Sequence, residues 1–593
     1  MGRIVFVFAS AVLVCLTCAR PASAAPRAAV EGELDQGLRE AIEAAVGETD
    51  RPIQNRFEAR RRAREAAEDA EAVLRSEGYY GAQVLADVGD GDAPAAVVRV
   101  TPGARFLLAG PRIEWIDPAP GPQAQAAGIS ALGLRDGGPG RAADVVAAEG
   151  RVVAAVQKQG YADVAAGPRE VIVDHADGTL RPTYRIVAGE LVRLDGLDLA
   201  GGGGRTDPQW LNRLVPWRSG APYNPDDVAE LERRLLDTGV YDSVAVALAP
   251  REKKTPEGLR PVVVSLADRE RRTLEAGASY STTEGVGLDA RWTRYNMLGR
   301  ADTQAVSGRL SNIDSRLGAE LALPHWRKPQ ETLKLVAAGY SRRTDAFDEK
   351  GVGVRADLQR RYGKTSYFTL GGSLDFSRSE ERVPGALTPL GRDLFIVAGL
   401  ADLSLDRSSD PLNPRSGWRA GVRLAPTLLT GETSLPYLET VAFGTYYLPL
   451  GEAQRTVIAG RLKAGAMLGG SIPEIPASRR FFSGGGGSVR GYAYQAVGPR
   501  LADNTPQGGV SLLEASVEVR HDLTRRWSIA AFVDAGAVGT DQLPTGKDLS
   551  AGAGLGVRYD LGFGPIRADF AVPLDKRRGD PAFQIYLSIG QSF

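Results

Sequence analysis

Cysteine is nearly absent. The 593 residues contain two, Cys15 and Cys18, both within the first 24. That stretch, MGRIVFVFASAVLVCLTCARPASA, joins Arg3, an apolar run from Ile4 to Leu16 and the small triplet Ala22-Ser23-Ala24. This is the layout of a cleaved secretory signal. The expected mature chain is therefore cysteine-free, which excludes disulfides, thiolate metal sites and a cysteine nucleophile. Histidine is also scarce: His175, His325 and His521 are far apart and form no HExxH pair. No charge of one sign dominates. Lys+Arg and Asp+Glu are 72 each, and loss of Arg3 and Arg20 with the signal leaves 70 against 72. A near-neutral chain gives no electrostatic basis for binding nucleic acid. After the signal, no apolar run approaches the roughly 18 residues of a spanning helix. Any membrane crossing must then use strands closed into a barrel. Enzyme motifs fail at specific positions. In "YGKTS" (362–366), Leu358 stands where a phosphate loop needs its first glycine, and "GAGLG" (552–556) and "GSVRG" (487–491) miss the dinucleotide and nucleophile-elbow patterns. No enzyme activity, metal or cofactor is expected.

The N-terminal half repeats one plan: an amphipathic helix, a glycine stop, then a strand. The stops "RSEGYYGAQV", "QKQGYADVAA" and "LDTGVYDSVAV" place Gly78, Gly160 and Gly239 at intervals of 82 and 79 residues. Before the first, Ala63, Ala66, Ala67, Ala70, Val73 and Leu74 fall on one helical face. Before the third, Asn224 suits the N-cap, Pro225 the first turn, and Val228, Leu231 and Leu235 form the apolar stripe. "TPGARFLLAG" and "VAGELVRLDG" add a glycine–strand–glycine marker between units. The arginines at 56, 60, 61, 62 and 64 read as a solvated helix face paired with Glu65, Glu68 and Glu71. Three tandem α+β domains are expected, at 25–103, 104–189 and 190–268.

From about residue 269 the period changes to two. In "FQIYLSIGQSF", Phe583, Ile585, Leu587, Ile589 and Phe593 share one face, and Gln584, Tyr586, Ser588, Gly590 and Ser592 the other. This alternation over 11 residues suits a tilted transmembrane strand. About sixteen such segments are countable, an even number suited to an outer-membrane barrel over 269–593. A soluble sandwich or propeller is the alternative.

One loop breaks the pattern. "RRFFSGGGGSVRGYAY" (479–494) sets Arg490 beside four consecutive glycines. By strand parity, Glu514 and Glu518, Phe532, Asp534 and Gly536, and the glycine track 552, 554 and 556 all face the lumen. A glycine-rich loop lying on that track would let Arg490 meet Asp534 or Glu518 through charge-assisted bonds. An exposed loop with a solvated arginine is the competing reading. At the far side, small residues on the first strand (Gly277, Ser279) and the last (Ser588, Gly590, before Phe593) make the closing seam the weakest junction.

These motifs carry a resemblance. "SVRGY" (488–492), "FVDAG" (532–536), "FGPIRADFAVPL" (563–574) and "LVPWRSGAPYNPDDVAELERRLLDTGVYDSV" (214–244) resemble the TamA family, the barrel subunits of translocation and assembly modules. The chain is more distantly similar to BamA and the rest of that superfamily. The resemblance implies three periplasmic POTRA domains followed by a 16-stranded barrel in the bacterial outer membrane. It makes Arg490 the loop arginine, with Val489, Gly491 and Tyr492 around it, and Asp534 its strand partner, with Phe532 and Gly536 alongside. Glu518 takes the place of a second acid. The run Gly484–Gly487 departs from the family, which often has a charged residue there. The function implied is insertion or secretion of β-rich outer-membrane proteins such as autotransporters. Implied partners are the lipid bilayer, unfolded substrate proteins and an inner-membrane-anchored TamB-like protein reached through the POTRA domains. A two-partner secretion pore for a filamentous exoprotein and a passive porin are the alternatives. Exchanging the charges of Arg490 and Asp534 is expected to restore part of the loss from removing either.

Overall fold

A computed structural model describes residues 25–89, 94–201, 204–281, 285–363, 365–383, 388–431, 434–451, 454–562 and 564–589. The signal segment 1–24 and the seam residues Gly590 and Phe593 lie outside the described residues. The chain divides into two compact units, one of 1–196, 217–228 and 248–262, the other of 197–216, 229–247 and 263–593.

The first unit opens with strands β1 (Ala25–Pro26) and β2 (Ala29–Glu31), helix α1 (Gln36–Val46), β3 (Glu48–Thr49), helix α2 (Arg56–Ser76), β4 (Gln83–Val88) and β5 (Ala96–Thr101). The sheet runs β2-β5-β4, with β4 on an edge. The alanine face of α2 explains how helix and sheet close. Ala63, Ala66, Ala70 and Leu74 are buried against Val98 and Val100, and small side chains allow close approach. Asn55 caps α2 through the Glu58 N–H. Arg62 departs from the solvated-face reading. It is buried, and its guanidinium spans the Arg51 carbonyl and Glu58 because it faces the α1–α2 connection.

The second sheet comprises β6 (Leu107–Leu108), β7 (Arg112–Ile116), β8 (Ala165–Ala166), β9 (Glu170–Asp174) and β10 (Thr179–Val187), with β10 central. Helices α3 (Pro122–Leu132) and α4 (Ala142–Gln157) accompany it, and Val145, Ala148, Val152 and Val156 pack in its core with Leu180, Tyr184 and Ile186. The third sheet, ordered β11-β13-β12, uses β11 (Leu194–Ala200), β12 (Tyr241–Leu248) and β13 (Arg260–Asp268), with α5 (Pro208–Asn212) and α6 (Pro225–Leu236). Gly78, Gly160 and Gly239 have φ of 95°, 101° and 71°, the left-handed conformation that ends a helix. Of the marker glycines in 187–196, Gly189 has a φ of 74°, whereas Gly196 lies inside β11 with no left-handed φ.

The second unit contains a closed antiparallel barrel of sixteen strands. In order these are β14 (Arg272–Ser281), β15 (Gly285–Tyr295), β16 (Thr303–Ser311), β17 (Asp314–Pro324), β18 (Glu331–Arg343), β19 (Phe347–Tyr362), β20 (Ser366–Glu381) and β21 (Leu390–Asp406). There follow β22 (Gly417–Thr430), β23 (Ser434–Leu450), β24 (Thr456–Leu468), β25 (Ser511–Asp522), β26 (Trp527–Gly539), β27 (Ser550–Asp560), β28 (Pro565–Pro573) and β29 (Gln584–Ile589). Outward residues are exposed and apolar, as on β26, where Trp527, Ile529 and Val533 alternate with buried Phe532 and Asp534. The inverted pattern, apolar outside and charged inside, is that of a barrel solvated by lipid. No described helix is long and apolar enough to cross a membrane, which says nothing of the strands.

The barrel's short turns pack on parts of the third α+β segment that belong to the same unit. Asn296 donates to Thr206, whose hydroxyl meets Tyr241 at 2.6 Å, and burial pushes the Tyr241 phenol up to about 12. In the β17–β18 turn, His325 Nε2 donates to the Arg234 carbonyl at 3.0 Å, and its Nδ1 accepts from the Gln330 N–H at 2.9 Å. Those two bonds suit only the neutral ring, and burial lowers the His325 pKa.

Candidate functional site

The connection 469–510 between β24 and β25 folds into the lumen and is bridged internally at Phe481–Gly509 and Ser483–Val497. Arg490 is 1% exposed, which excludes the solvated-loop reading. Its backbone N–H and Nε donate to Asp534 Oδ2 at 3.1 and 2.7 Å, and Nη2 donates to Oδ1 at 3.1 Å. Nη1 reaches Glu518 Oε2 at 2.8 Å and Asp569 Oδ2 at 3.1 Å. The guanidinium carbon lies 3.3 Å from the Phe532 ring centroid, so a cation covers the ring face. The acids are themselves shared: Glu518 also binds Arg520 and Arg558, and Asp569 also binds Arg558 and Arg567. Asp534 differs, because each hydrogen bond described for its carboxylate comes from Arg490.

The glycines explain how a loop approaches a strand wall this closely. A Cβ on Gly552 would lie 2.0 Å from the Arg490 carbonyl oxygen. The glycine track does not serve the loop as a whole, however. At Gly554 the added carbon would meet the Phe570 carbonyl oxygen and the Phe532 ring, and at Gly556 it would meet Asp569 and Arg558. Of the three, Gly552 receives loop backbone; the other two make room for neighbouring groups of the wall itself. Gly536 admits Val489, which is fully buried. Gly491 has φ 102° and abuts Val572, and the Tyr492 hydroxyl reaches the carbonyls of Ala551 and Asp575. Within the glycine run, Gly484 and Gly485 have φ of 108° and 103°, whereas an added carbon on Gly487 meets nothing within 4 Å. Ser483 and Ser488 both donate to Glu514, securing the base of the run.

Parity reasoning missed three groups. Asp569 is the third acid on Arg490; it alternates inward with Arg567 and Ala571 in 565–573, a readable signal. Arg479 and Arg480 form a second anchor on another part of the wall. Arg479 pairs with Asp375 and Glu349, each at 2.9 Å, and Arg480 with Glu381 at 2.8 Å. The loop is thus tied to β19–β20 at one end and β25–β28 at the other. Tyr586 of β29 is the third, its hydroxyl held by loop backbone.

The seam residues are carried by the first and last strands of the barrel. Gly277 and Ser279 are on β14 opposite Asp289 and Gly287 of β15. Across the seam, Tyr280 stands opposite Leu587 and Ser281 opposite Tyr586. Ser588 accepts a hydrogen bond from Arg567 Nε at 2.8 Å.

Comparison with known proteins bears on the whole architecture. Residues 296–593 match the Omp85 superfamily domain, and residues 27–102 match POTRA domain TamA domain 1. The outer membrane protein assembly factor BamA of Neisseria meningitidis serogroup B is 22% identical over 453 residues, 66% of this chain and 56% of that protein. BamA of Neorickettsia risticii is 22% identical over 440 residues, 70% and 57% of the two chains. The chain thus spans somewhat over half the length of these relatives. The structure of BamA from Haemophilus ducreyi lacking POTRA domains 1-3 superposes with a TM-score of 0.66 at 17% identity, covering 82% of this chain and 100% of that one. The barrel lies in the outer membrane, with the POTRA domains on the periplasmic side. With the barrel domain alone accounting for half of its length, the chain belongs to the Omp85 superfamily.

Proposed function

We propose that this is a TamA-type protein that inserts or secretes β-rich outer-membrane proteins, such as autotransporters, by templating an incoming strand on the β14–β29 seam. The observation that carries the reading is the loop docked in the lumen, tied to the wall by Arg479 and Arg480 at one end and by Arg490 at the other. The barrel closes between its first and last strands, where Tyr280 stands opposite Leu587 and Ser281 opposite Tyr586. Small residues at Gly277 and Ser588 add little cross-strand packing. An opened seam would leave backbone donors and acceptors facing lipid, each costing several kcal/mol unless another strand satisfies it. A substrate strand can supply those bonds regardless of its sequence. The inward loop, anchored on two parts of the wall, favours this over a passive porin. The exposed edge of β4 in the first POTRA domain would accept an inner-membrane-anchored, TamB-like partner by the same backbone pairing. Depleting the protein should lower autotransporters in the outer membrane while leaving lipoproteins unchanged; an unaltered β-barrel proteome would reject the reading.

A further inference from the structure

The loop arginine and the seam are joined by one side chain of the closing strand. On β29, Ile585 and Leu587 face outward, while Tyr586 is 3% exposed and points inward. Its hydroxyl accepts from the Gly491 N–H at 3.2 Å and donates to the Tyr492 carbonyl at 3.1 Å. These two residues follow Arg490 directly. The Tyr586 ring packs with Phe532 and Ala571, and Phe532 is the ring under the Arg490 guanidinium. A Cβ on Gly486 would lie 2.8 Å from the Tyr586 ring, so Gly486 lies directly against it. In the sheet, Tyr586 stands opposite Asp569, an acid of the arginine site, on one side, and opposite Ser281 of the seam on the other.

We infer that Tyr586 is a positioning residue that transmits the state of the Arg490 site to the seam, holding β29 in register with β14 while the loop is docked. The inference rests on the proposed seam function for its biological meaning but not for its test. Tyr280 and Leu587 are directly opposed, and opposed antiparallel residues have Cα separations within disulfide reach. In the full-length protein in outer-membrane vesicles, Tyr280→Cys with Leu587→Cys reports the closed seam as the rate of disulfide formation under mild oxidant. Tyr586→Phe keeps the ring and removes both hydroxyl bonds, and should slow the crosslink about tenfold, the scale of two lost hydrogen bonds. Gly486→Ala, which forces the ring to move, should slow it as well and carries the test if Tyr586→Phe does not assemble. Placed on Arg490→Ala, which alone slows the crosslink, Tyr586→Phe should add nothing, because both act through one linkage. An unchanged rate in both single variants, or a full additive loss on Arg490→Ala, overturns the inference. Substrate insertion is measured in parallel. A loosened seam with normal insertion leaves the Tyr586 linkage standing and rejects the seam function.

Discussion

Replacing Arg490 with alanine should cost about 3–5 kcal/mol, the range for breaking a buried ion pair. At about 1.4 kcal/mol per tenfold, this is roughly two to three and a half decades in the unfolding equilibrium. The geometry says where the cost falls. The cluster holds four guanidiniums (Arg490, Arg520, Arg558, Arg567) against three carboxylates (Glu518, Asp534, Asp569). Without Arg490 the count is balanced, and Glu518 and Asp569 keep cationic partners. Asp534 loses each hydrogen bond described for its carboxylate and stays buried. The penalty is therefore that of one stranded carboxylate, and adding Asp534→Ala should recover most of it. Exchanging the charges should not. An aspartate at 490 would face Glu518 and Asp569, so the pairwise expectation from the sequence is replaced by a three-acid site. Urea unfolding in lipid vesicles, followed by tryptophan fluorescence and heat-modifiable mobility, measures all three variants against wild type. A double mutant no more stable than Arg490→Ala, or a single mutant within 1 kcal/mol of wild type, would refute the reasoning.

Further outcomes follow from the same contacts. Gly552→Ala should displace the loop and destabilise by about 1–3 kcal/mol, while Gly487→Ala, with open space around it, should be near neutral; equal effects in the same unfolding assay would count against the docking of loop on strand. Arg479→Ala should raise hydrogen exchange of residues 477–483 without loosening Arg490, because its partners Glu349 and Asp375 are on a separate part of the wall; unchanged exchange would deny it an anchoring role. His325 is held neutral, so the unfolded chain binds the proton more readily and stability falls as pH drops through about 6.5 toward the lowered folded value. Exchange at the Gln330 N–H should accelerate between pH 7 and 5 beyond its intrinsic pH dependence, and His325→Gln should remove the excess. Deleting 27–103 should abolish co-purification with an inner-membrane partner and spare the barrel; retained co-purification would move the docking site elsewhere.

Much of this fold is readable from periodicity because lipid inverts the usual rule. Alternation in 513–520, 526–537 and 549–560 separates the lipid face from the lumen face residue by residue, which is enough to turn Glu514, Glu518 and Asp534 inward. The glycine stops are readable for a local reason, since each ends a helix in a conformation other residues resist. Local signals do not say which inward acids meet. Arg479 finds Asp375 and Glu349 across 104 and 130 residues, a juxtaposition set by strand register and barrel closure. Asp569 shows the same limit: its inward parity was legible, its convergence on Arg490 was not. Tyr586 read as one more lumen residue because a hydroxyl bound to backbone leaves no compositional trace on its partners. Arg62 was misread because the alternative to solvent, the Arg51 carbonyl, belongs to a turn with no periodicity.

The central claim is that the barrel works by opening between β14 and β29. Tyr280→Cys with Leu587→Cys, oxidised and verified as an intramolecular crosslink, locks that junction in a chain expected to have no other mature cysteine. Autotransporter insertion should stop in the locked protein and return on reduction, while barrel integrity by heat-modifiable mobility stays unchanged. Normal insertion through a fully crosslinked seam would contradict the account.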